Sequence, residues 1–246
     1  MAGWLRRLFR RGDGAGRIPY CAAVVPAAGW ATRMEGEDKV LLPLDGTPVL
    51  MRTLRALDAC DRIHEIIVVT REELIVPVGQ LCHDCAFTKV RKVVVGGETR
   101  THSVLAGIAE VSKQTELIAI HDGARPLVSQ RLLEEVLEKG ADTGAAAPAV
   151  PLKDTIKRVE GEVAVSTPAR EEYRAVQTPQ VFEPSLLQAA LTKALQDGVA
   201  VTDDCAAVER MGMKVTLTAG EYRNLKITVP EDIAVAEALL RWEEDR

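Results

Sequence analysis

Long apolar runs and an excess of basic residues are both missing from this chain of 246 residues. No stretch approaches the roughly 18 to 20 uninterrupted apolar residues that cross a membrane, and no signal-peptide segment is visible. The formal net charge of -5 is opposite in sign to that of a typical nucleic-acid-binding domain. We therefore expect a cytoplasmic protein without a nucleic-acid partner and without stable membrane association.

Cysteine is also scarce. Five cysteines, an odd number, are spread along a chain whose 47% hydrophobic content is ample for a core, which favours reduced thiols over a disulfide framework. Cys82 and Cys85 form a CxxC pair around His83, but no second pair follows at zinc-site spacing. A metal or redox role for this pair is therefore the weaker interpretation.

Two common phosphate-binding patterns are absent from the loop at 26–39, PAAGWATRMEGEDK. A dinucleotide fingerprint needs glycines at GxGxxG spacing, and a P-loop needs a second glycine before Lys and Ser or Thr. This loop has Gly29 but Ala31 where a second glycine would stand. Arg33 and Lys39 nevertheless supply two cations, so this loop is still a candidate site for an anionic ligand.

Short β-branched runs alternate with segments of helical periodicity along most of the chain. This alternation predicts βαβ units, and hence an α/β fold with a mostly parallel sheet and helices on both faces. We expect strands at 20–25, 65–70, 92–97, 117–122, 144–150 and 214–218, and helices near 48–59, 101–111, 129–139, 184–196, 203–211 and 231–242.

Domain organisation follows from the same pattern, because no Pro/Gly linker divides residues 20–246. We expect them to form one domain. Residues 1–19 are a basic tail, expected to be disordered, with a short amphipathic helix as the alternative.

The segments TIKRV and EVAVS alternate across a turn at Glu160 and Gly161, which predicts an antiparallel β-arm at about 152–176. Such an arm has too little core to stand alone, so it should pack on the body or on another subunit.

Polar clusters fall at or just beyond the predicted strand ends, where open parallel sheets bind ligands. Small residues in the first loop would let backbone groups approach a ligand, and Asp122 in HDGARP suits Mg²⁺ that bridges phosphate oxygens. Each cluster also has an ordinary structural explanation, such as a turn, a helix cap at Thr99 or a solvated lysine. Together, one carboxylate and four cations suggest a nucleoside triphosphate and phosphoryl-type chemistry; the cations are Arg33, Lys39, Arg125 and Lys226.

With these motifs in order, the sequence resembles the 2-C-methyl-D-erythritol 4-phosphate cytidylyltransferase family of the non-mevalonate isoprenoid pathway. The resemblance covers about residues 20 to 241 and rests on PAAGWATRM, GGETRTHSVLAG, HDGARP, DTIK, TPQVF, VTDD and NLKITVPED. It implies a Rossmann-like nucleotidyltransferase fold with a projecting antiparallel β-arm. It also implies Mg²⁺-dependent attack of the methylerythritol phosphate on the α-phosphorus of CTP, with release of pyrophosphate.

The resemblance also implies roles for individual residues. Catalytic residues would be Arg33, Lys39 and Lys226, and Asp122 would lie at the metal and the ribose. CTP-binding positions would be Ala27, Ala28, Gly29, Gly97, Glu98, Ser103, Asp122 and Gly123. Methylerythritol phosphate would meet Arg125, Thr155, Arg170, Thr178 and Thr202, some of them across a homodimer interface formed by the β-arm. The alternatives are a cytidylyltransferase for another polyol phosphate, such as ribitol 5-phosphate, and a non-catalytic nucleotide-binding module.

Overall fold

The computed structural model of the protein describes residues 17–29 and 38–244. The strands are β1 (Cys21–Pro26), β2 (Pro43–Leu44), β3 (Thr47–Pro48), β4 (Glu65–Thr70), β5 (Val90–Val95), β6 (Leu117–Ile120), β7 (Ala145–Pro151), β8 (Arg158–Glu160), β9 (Val163–Ser166), β10 (Arg174–Val176), β11 (Gln180–Phe182) and β12 (Thr216–Ala219). The helices are α1 (Val49–Asp58), α2 (Ile75–Asp84), α3 (Arg100–Ala109), α4 (Gln130–Thr143), α5 (Pro184–Gln196), α6 (Asp204–Arg210) and α7 (Glu231–Glu244).

Within the described residues, eight of the strands form one mixed sheet. Its order is β10-β7-β11-β6-β1-β4-β5, and β12 also pairs with β7. Strand β1 is parallel to both β4 and β6, β5 is parallel to β4, and β12 is parallel to β7. Strand β11 lies antiparallel between β6 and β7, and β10 is antiparallel to β7. The predicted mostly parallel sheet is confirmed; strands β10 and β11 were not predicted.

The central strands of the sheet are buried on both faces, because alternate residues of β1, β4 and β6 enter different clusters. In β4, Val68 packs in a core with Leu54 of α1 and Leu132 of α4. Its neighbour Val69 packs in a second core with Val104 of α3. Helices α5 and α6 also contribute to this second core. The α/β fold with helices on both faces is therefore confirmed.

The order of the strands creates a crevice at one edge of the sheet. From β1 the chain runs to β4 and β5 on one side, and then crosses to β6 on the other side of β1. The loops after β1 and β6 therefore diverge at the carboxyl ends of the two central strands. Such a switch point is where open α/β sheets bind ligands.

The predicted arm is present as a separate two-stranded antiparallel sheet, β8 paired with β9. Gly161 in the connecting turn has a φ of 60°, a conformation that favours glycine. Strand β10 then returns the chain to the central sheet. The basic tail predicted over 1–19 lies outside the described residues as far as residue 16. In the part of the chain that is described, no helix is long and apolar enough to span a membrane.

Candidate active site

A cavity of about 410 Å³ opens at the carboxyl ends of β1, β4, β5 and β6. A larger cavity of about 860 Å³ lies between α5 and α6, and none of the predicted site residues lines it. The smaller cavity is the candidate site because it brings together predicted residues from distant motifs. Those that line it are Ala27, Ala28, Gly29, Lys39, Gly97, Glu98, Ser103, Asp122 and Lys226.

The first wall of the cavity is the loop after β1. The backbone N–H of Ala27 donates a hydrogen bond of 2.7 Å to the carbonyl oxygen of Val69, which fixes the start of the loop beside β4. Among the described residues, a Cβ atom added to Gly29 would meet nothing within 4 Å, and Gly29 lines the cavity. Lys39, which follows this loop in the sequence, also lines the cavity. Arg33 and Ala31 lie in residues 30–37, outside the described residues.

The second wall is the turn between β5 and α3. Gly97 is required there, because a Cβ atom would lie 2.4 Å from the Cβ of His102. The N–H of Gly97 donates to Oγ of Ser103 (3.2 Å), and that hydroxyl lies 3.1 Å from the carbonyl oxygen of Thr99, to which it donates. Thr99 caps α3 by accepting from the N–H of His102, which is the ordinary structural role considered for this motif. The turn is thus held by its own polar groups and presents backbone to the cavity.

Asp122, just beyond β6, is a carboxylate of the cavity lining that is surrounded by cations. Nζ of Lys226 lies 2.9 Å from its Oδ2, and Nε of Arg125 lies 3.7 Å from the same oxygen. Nη2 of Arg100 lies 3.6 Å from its Oδ1. Burial alone would raise the pKa of Asp122, but Lys226, Arg100 and Arg125 together hold it well below its usual range. The carboxylate is therefore ionised at neutral pH.

Buried polar groups hold Asp122 in place. Its backbone N–H donates to Oγ1 of Thr178 (3.1 Å), and that oxygen lies 3.1 Å from Nδ1 of His121. The other ring nitrogen of His121 lies 3.3 Å from the carbonyl oxygen of Arg125, so it donates there while Nδ1 accepts from Thr178. Burial lowers the pKa of His121 to about 4. The ring is therefore neutral and supports the loop by its hydrogen bonds to Thr178 and to the carbonyl oxygen of Arg125.

Two other residues of HDGARP support the loop from behind. The N–H of Gly123 donates to the carbonyl oxygen of Pro26 (3.1 Å), and a Cβ atom at this glycine would lie 3.0 Å from Cδ1 of Leu50. Nη1 of Arg125 donates to the carbonyl oxygen of Asn224 (2.7 Å), which ties the loop to the segment that carries Lys226. Neither Gly123 nor Arg125 lines the cavity.

The remaining predicted substrate residues lie away from the cavity lining. Thr178 is buried behind Asp122, whereas Thr202 is exposed just before α6. Thr155 and Arg170 are exposed on the arm, where Nη1 of Arg170 donates to the carbonyl oxygen of Lys153 (2.8 Å). Their contacts with a substrate stay predictions.

Two ion pairs at the cavity were not predicted. Arg100 lines the cavity and donates a hydrogen bond of 2.7 Å to Oδ2 of Asp204. Arg71, which also lines it, pairs with Asp38. Arg100 belongs to the motif GGETRTHSV and Asp204 to the motif VTDD. Membership of these motifs was the sequence signal that could have identified both as site residues.

Metal-ligating side chains do not cluster in the described part of the chain, where no group of three or more His, Cys, Asp or Glu residues is suitably placed. Burial, with a smaller effect of Cys85, raises the pKa of Cys82 to about 11, which disfavours the thiolate that zinc would need. The CxxC pair therefore offers no metal site in this region. Asp122 is the one predicted metal ligand, and it is present at the cavity.

Comparisons with known proteins agree with this geometry. The chain is 47% identical over 223 residues to the 2-C-methyl-D-erythritol 4-phosphate cytidylyltransferase of Caldanaerobacter subterraneus subsp. tengcongensis, covering 89% of this chain and 98% of the relative. It is 42% identical over 226 residues to the protein of that name from Halalkalibacterium halodurans, covering 92% and 99%.

A solved structure is similar as well. The crystal structure of 4-diphosphocytidyl-2C-methyl-D-erythritol synthase from Anaerococcus prevotii superposes with a TM-score of 0.82 at 31% identity, covering 91% of this chain and 96% of that one. The family model IspD, 2-C-methyl-D-erythritol 4-phosphate cytidylyltransferase, matches residues 21–242. The chain therefore belongs to the IspD family of 2-C-methyl-D-erythritol 4-phosphate cytidylyltransferases.

Proposed function

We propose that this chain, a nucleotidyltransferase by family, transfers a cytidylyl group from CTP to 2-C-methyl-D-erythritol 4-phosphate, in isoprenoid precursor biosynthesis. The products are 4-diphosphocytidyl-2-C-methyl-D-erythritol and pyrophosphate. Family membership favours this substrate over ribitol 5-phosphate. The observation that carries the placement of the site is the ionised carboxylate of Asp122, 2.9 Å from Lys226 in a cavity at the switch point of the sheet.

The reaction needs positioning and charge neutralisation more than covalent chemistry by the protein. A phosphate oxygen of the substrate attacks the α-phosphorus in line; the new P–O bond forms as the bond to the pyrophosphate oxygen breaks. Arg33, Lys39 and Lys226 are proposed to hold the triphosphate and to stabilise the charge that develops at the α-phosphorus. Lys39 and Lys226 line the same cavity, which supports their joint role.

Cytosine is proposed to bind to backbone groups of the two walls of the cavity, the loop after β1 and the turn between β5 and α3. Ala27, Ala28 and Gly29 form one wall, and Gly97 with Glu98 forms the other. Small residues allow a flat base to approach peptide N–H and C=O groups, which can distinguish cytosine from other bases by their hydrogen bonds. Ser103 fixes the second wall through its bond with the N–H of Gly97.

Mg²⁺ is the proposed metal, with Asp122 as its protein ligand. Mg²⁺ commonly takes one or two carboxylates and completes its shell with water and phosphate oxygens, so a single ionised carboxylate fits the ion. Oδ2 of Asp122 faces Lys226, whereas Oδ1 has only the more distant Arg100 beside it in the described chain. When bound with nucleotide, the ion would neutralise phosphate charge.

The arm is proposed to complete the site across a homodimer. Val163 is 66% exposed and Val159 is 58% exposed, a composition that suits burial against a second copy. Arg170 and Thr155 would meet the substrate phosphate from the partner's arm, with Arg125, Thr178 and Thr202 supporting the same region. Binding the acceptor substrate would then depend on the assembled dimer.

Two further parts of the proposal concern the whole chain. Residues 20–246 are taken as one domain, supported by the single central sheet that gathers strands from β1 to β12. A cytoplasmic location is supported by the five cysteines, all of which are free thiols in the structure.

Pyrophosphate release tests the function. The purified protein with CTP and Mg²⁺ should release pyrophosphate when methylerythritol phosphate is added, and much less with ribitol 5-phosphate at the same concentration. Preference for ribitol 5-phosphate would favour the alternative acceptor. Binding of CTP without release for either acceptor would favour the non-catalytic module.

A further inference from the structure

A buried ion pair connects the cavity to α6. Arg100 is the first residue of α3 and lines the cavity, and its Nη2 donates to Oδ2 of Asp204 at 2.7 Å. Asp204 opens α6 and is 0% exposed. Its backbone N–H donates to Oε1 of Gln180 on β11 (3.0 Å). The carboxylate is therefore fixed by the central sheet, behind the cavity.

Asp204 depends on Arg100 for its charge. Among the described residues, Oδ1 of Asp204 has no hydrogen-bond partner, and burial raises the pKa of this carboxyl even though Arg100 lies beside it. A buried charge without a partner is strongly destabilising, so the ionised Asp204 should keep Arg100 paired with it. Asp204 does not line the cavity. Any effect it has on a nucleotide must pass through Arg100.

Arg100 stands between two carboxylates at unequal distances. It is 2.7 Å from Oδ2 of Asp204 and 3.6 Å from Oδ1 of Asp122, and the longer distance is outside hydrogen-bond range. A guanidinium has five N–H donors in a rigid fork, so one bond to Asp204 leaves donors for a phosphate group in the cavity. Arg100 also stands at the N-terminus of α3, where the helix dipole favours an anion.

Loss of the negative charge at Asp204 would change this balance. Asp203 is also near Arg100, but its two oxygens accept hydrogen bonds from Gln180 and from the N–H of Ala206. Arg100 would then turn to Asp122, 3.6 Å away, because arginine and carboxylate groups readily form two-bond pairs. Such a pair would turn the guanidinium away from a nucleotide and would occupy the Asp122 carboxylate at the same time.

We propose that Asp204 is a positioning residue for nucleotide binding, which aims Arg100 at the phosphates of CTP and keeps it from closing on Asp122. The inference rests on the proposed function, because it assumes that CTP occupies this cavity. Arg100 is accordingly a phosphate-binding residue of the site, in addition to Lys39 and Lys226. Asp204 itself does not touch the nucleotide.

Isothermal titration calorimetry with CTP and Mg²⁺, without the acceptor substrate, tests this through a double-mutant cycle. Asp204→Asn keeps the shape of the side chain and removes its charge. We expect CTP to bind about 10-fold more weakly to Asp204→Asn and to Arg100→Gln, since a hydrogen bond to a charged group is worth about that factor. The double variant should also bind about 10-fold more weakly. Glu209→Gln, an exposed change on the same helix, should bind CTP like the wild type.

Two results would overturn the proposal: wild-type affinity in Asp204→Asn, or a loss of about 100-fold in the double variant, the product of independent effects. Thermal unfolding identifies variants that do not fold. If Asp204→Asn is one of them, Asp204→Ser, which also removes the charge, takes its place in the cycle, with the same expected and contradicting results. Failure of the wild type itself to bind CTP would reject the proposed function instead.

Discussion

Nζ of Lys226 lies 2.9 Å from Oδ2 of Asp122, although Asp122 belongs to a motif near the middle of the sequence match and Lys226 to one near its end. The contact joins the segment before α7 to the end of β6. It places a cation and a carboxylate in one cavity. The side chain of Lys226 is 40% exposed, whereas that of Asp122 is 10% exposed. A nucleotide could therefore recruit the lysine from its partner without unfolding the loop.

Replacement of Lys226 should impair chemistry more than stability. We expect Lys226→Ala to lower kcat for pyrophosphate release by about 100-fold, because one preorganised charge at the transition state is worth about that much. Lys214→Ala, at another exposed lysine, provides the matched control and should retain wild-type kcat. A kcat for Lys226→Ala within about 3-fold of the wild type would remove this lysine from the proposed catalytic set.

Lys39, which follows the loop after β1, provides a second test. Lys39→Ala should abolish measurable turnover while the circular dichroism spectrum stays that of the wild type, because the side chain belongs to the cavity lining and not to either core. Near-normal turnover in this variant would show that the loop after β1 does not hold the triphosphate.

Because the arm is proposed to bind the acceptor substrate alone, a change in the arm should affect methylerythritol phosphate and not CTP. Arg170 is exposed and lies outside the cavity lining, so Arg170→Ala should raise the KM for methylerythritol phosphate by about 10-fold, the value of one charged hydrogen bond. The KM for CTP should stay unchanged. Arg158→Ala on the same arm, where Arg158 pairs with Glu160, is the matched control. Equal changes in both KM values for Arg170→Ala would contradict a role specific to the acceptor substrate.

His121 predicts how stability depends on pH in metal-free protein. Burial lowers the pKa of this ring to about 4, against an ordinary value near 6.5. The unfolded chain therefore takes up a proton near pH 6.5, whereas the folded chain does not until about pH 4. This effect is absent above pH 6.5, and as pH falls from 6.5 to about 4 it removes about 3 kcal/mol of stability.

Urea unfolding at pH 7 and pH 4.5 measures that contribution. The free energy of unfolding should fall less between these values in His121→Asn than in the wild type, although the variant should be less stable at pH 7 because Thr178 and the carbonyl of Arg125 lose their partner. An equal fall in both proteins would mean that His121 does not set the acid sensitivity.

Much of the fold was predictable because its signals are local. The strand at 65–70 and the helix at 184–196 have the predicted bounds, since each shows a clear apolar pattern ended by polar or turn residues. Helix α2 was missed because Pro77 and Gly79 interrupt its sequence. Strand β11 was missed because three residues are too few to show a period, and its place between β6 and β7 is decided by tertiary pairing.

The site was predictable for a different reason. Motifs that follow strand ends must meet at one edge of a parallel sheet, so Asp122 and Lys39 could be brought together without coordinates. The pair formed by Arg100 and Asp204 could not, because no periodicity links α3 to α6 and the contact depends on how both helices pack on the sheet. Arg100 directly follows GGET, which indicated that it lies near the site, but nothing in the sequence indicated that Asp204 is its partner.

Asp122→Asn gives the most direct test of the claim that this cavity performs cytidylyl transfer. Steady-state pyrophosphate release with CTP, Mg²⁺ and methylerythritol phosphate should fall by about 1,000-fold in kcat/KM, because the metal ligand and its charge are both lost. Asp142→Asn, at an exposed position of α4, should match the wild type. A folded Asp122→Asn protein that keeps more than about a tenth of wild-type kcat/KM would contradict the account, since a loss that small is at most one ordinary hydrogen bond.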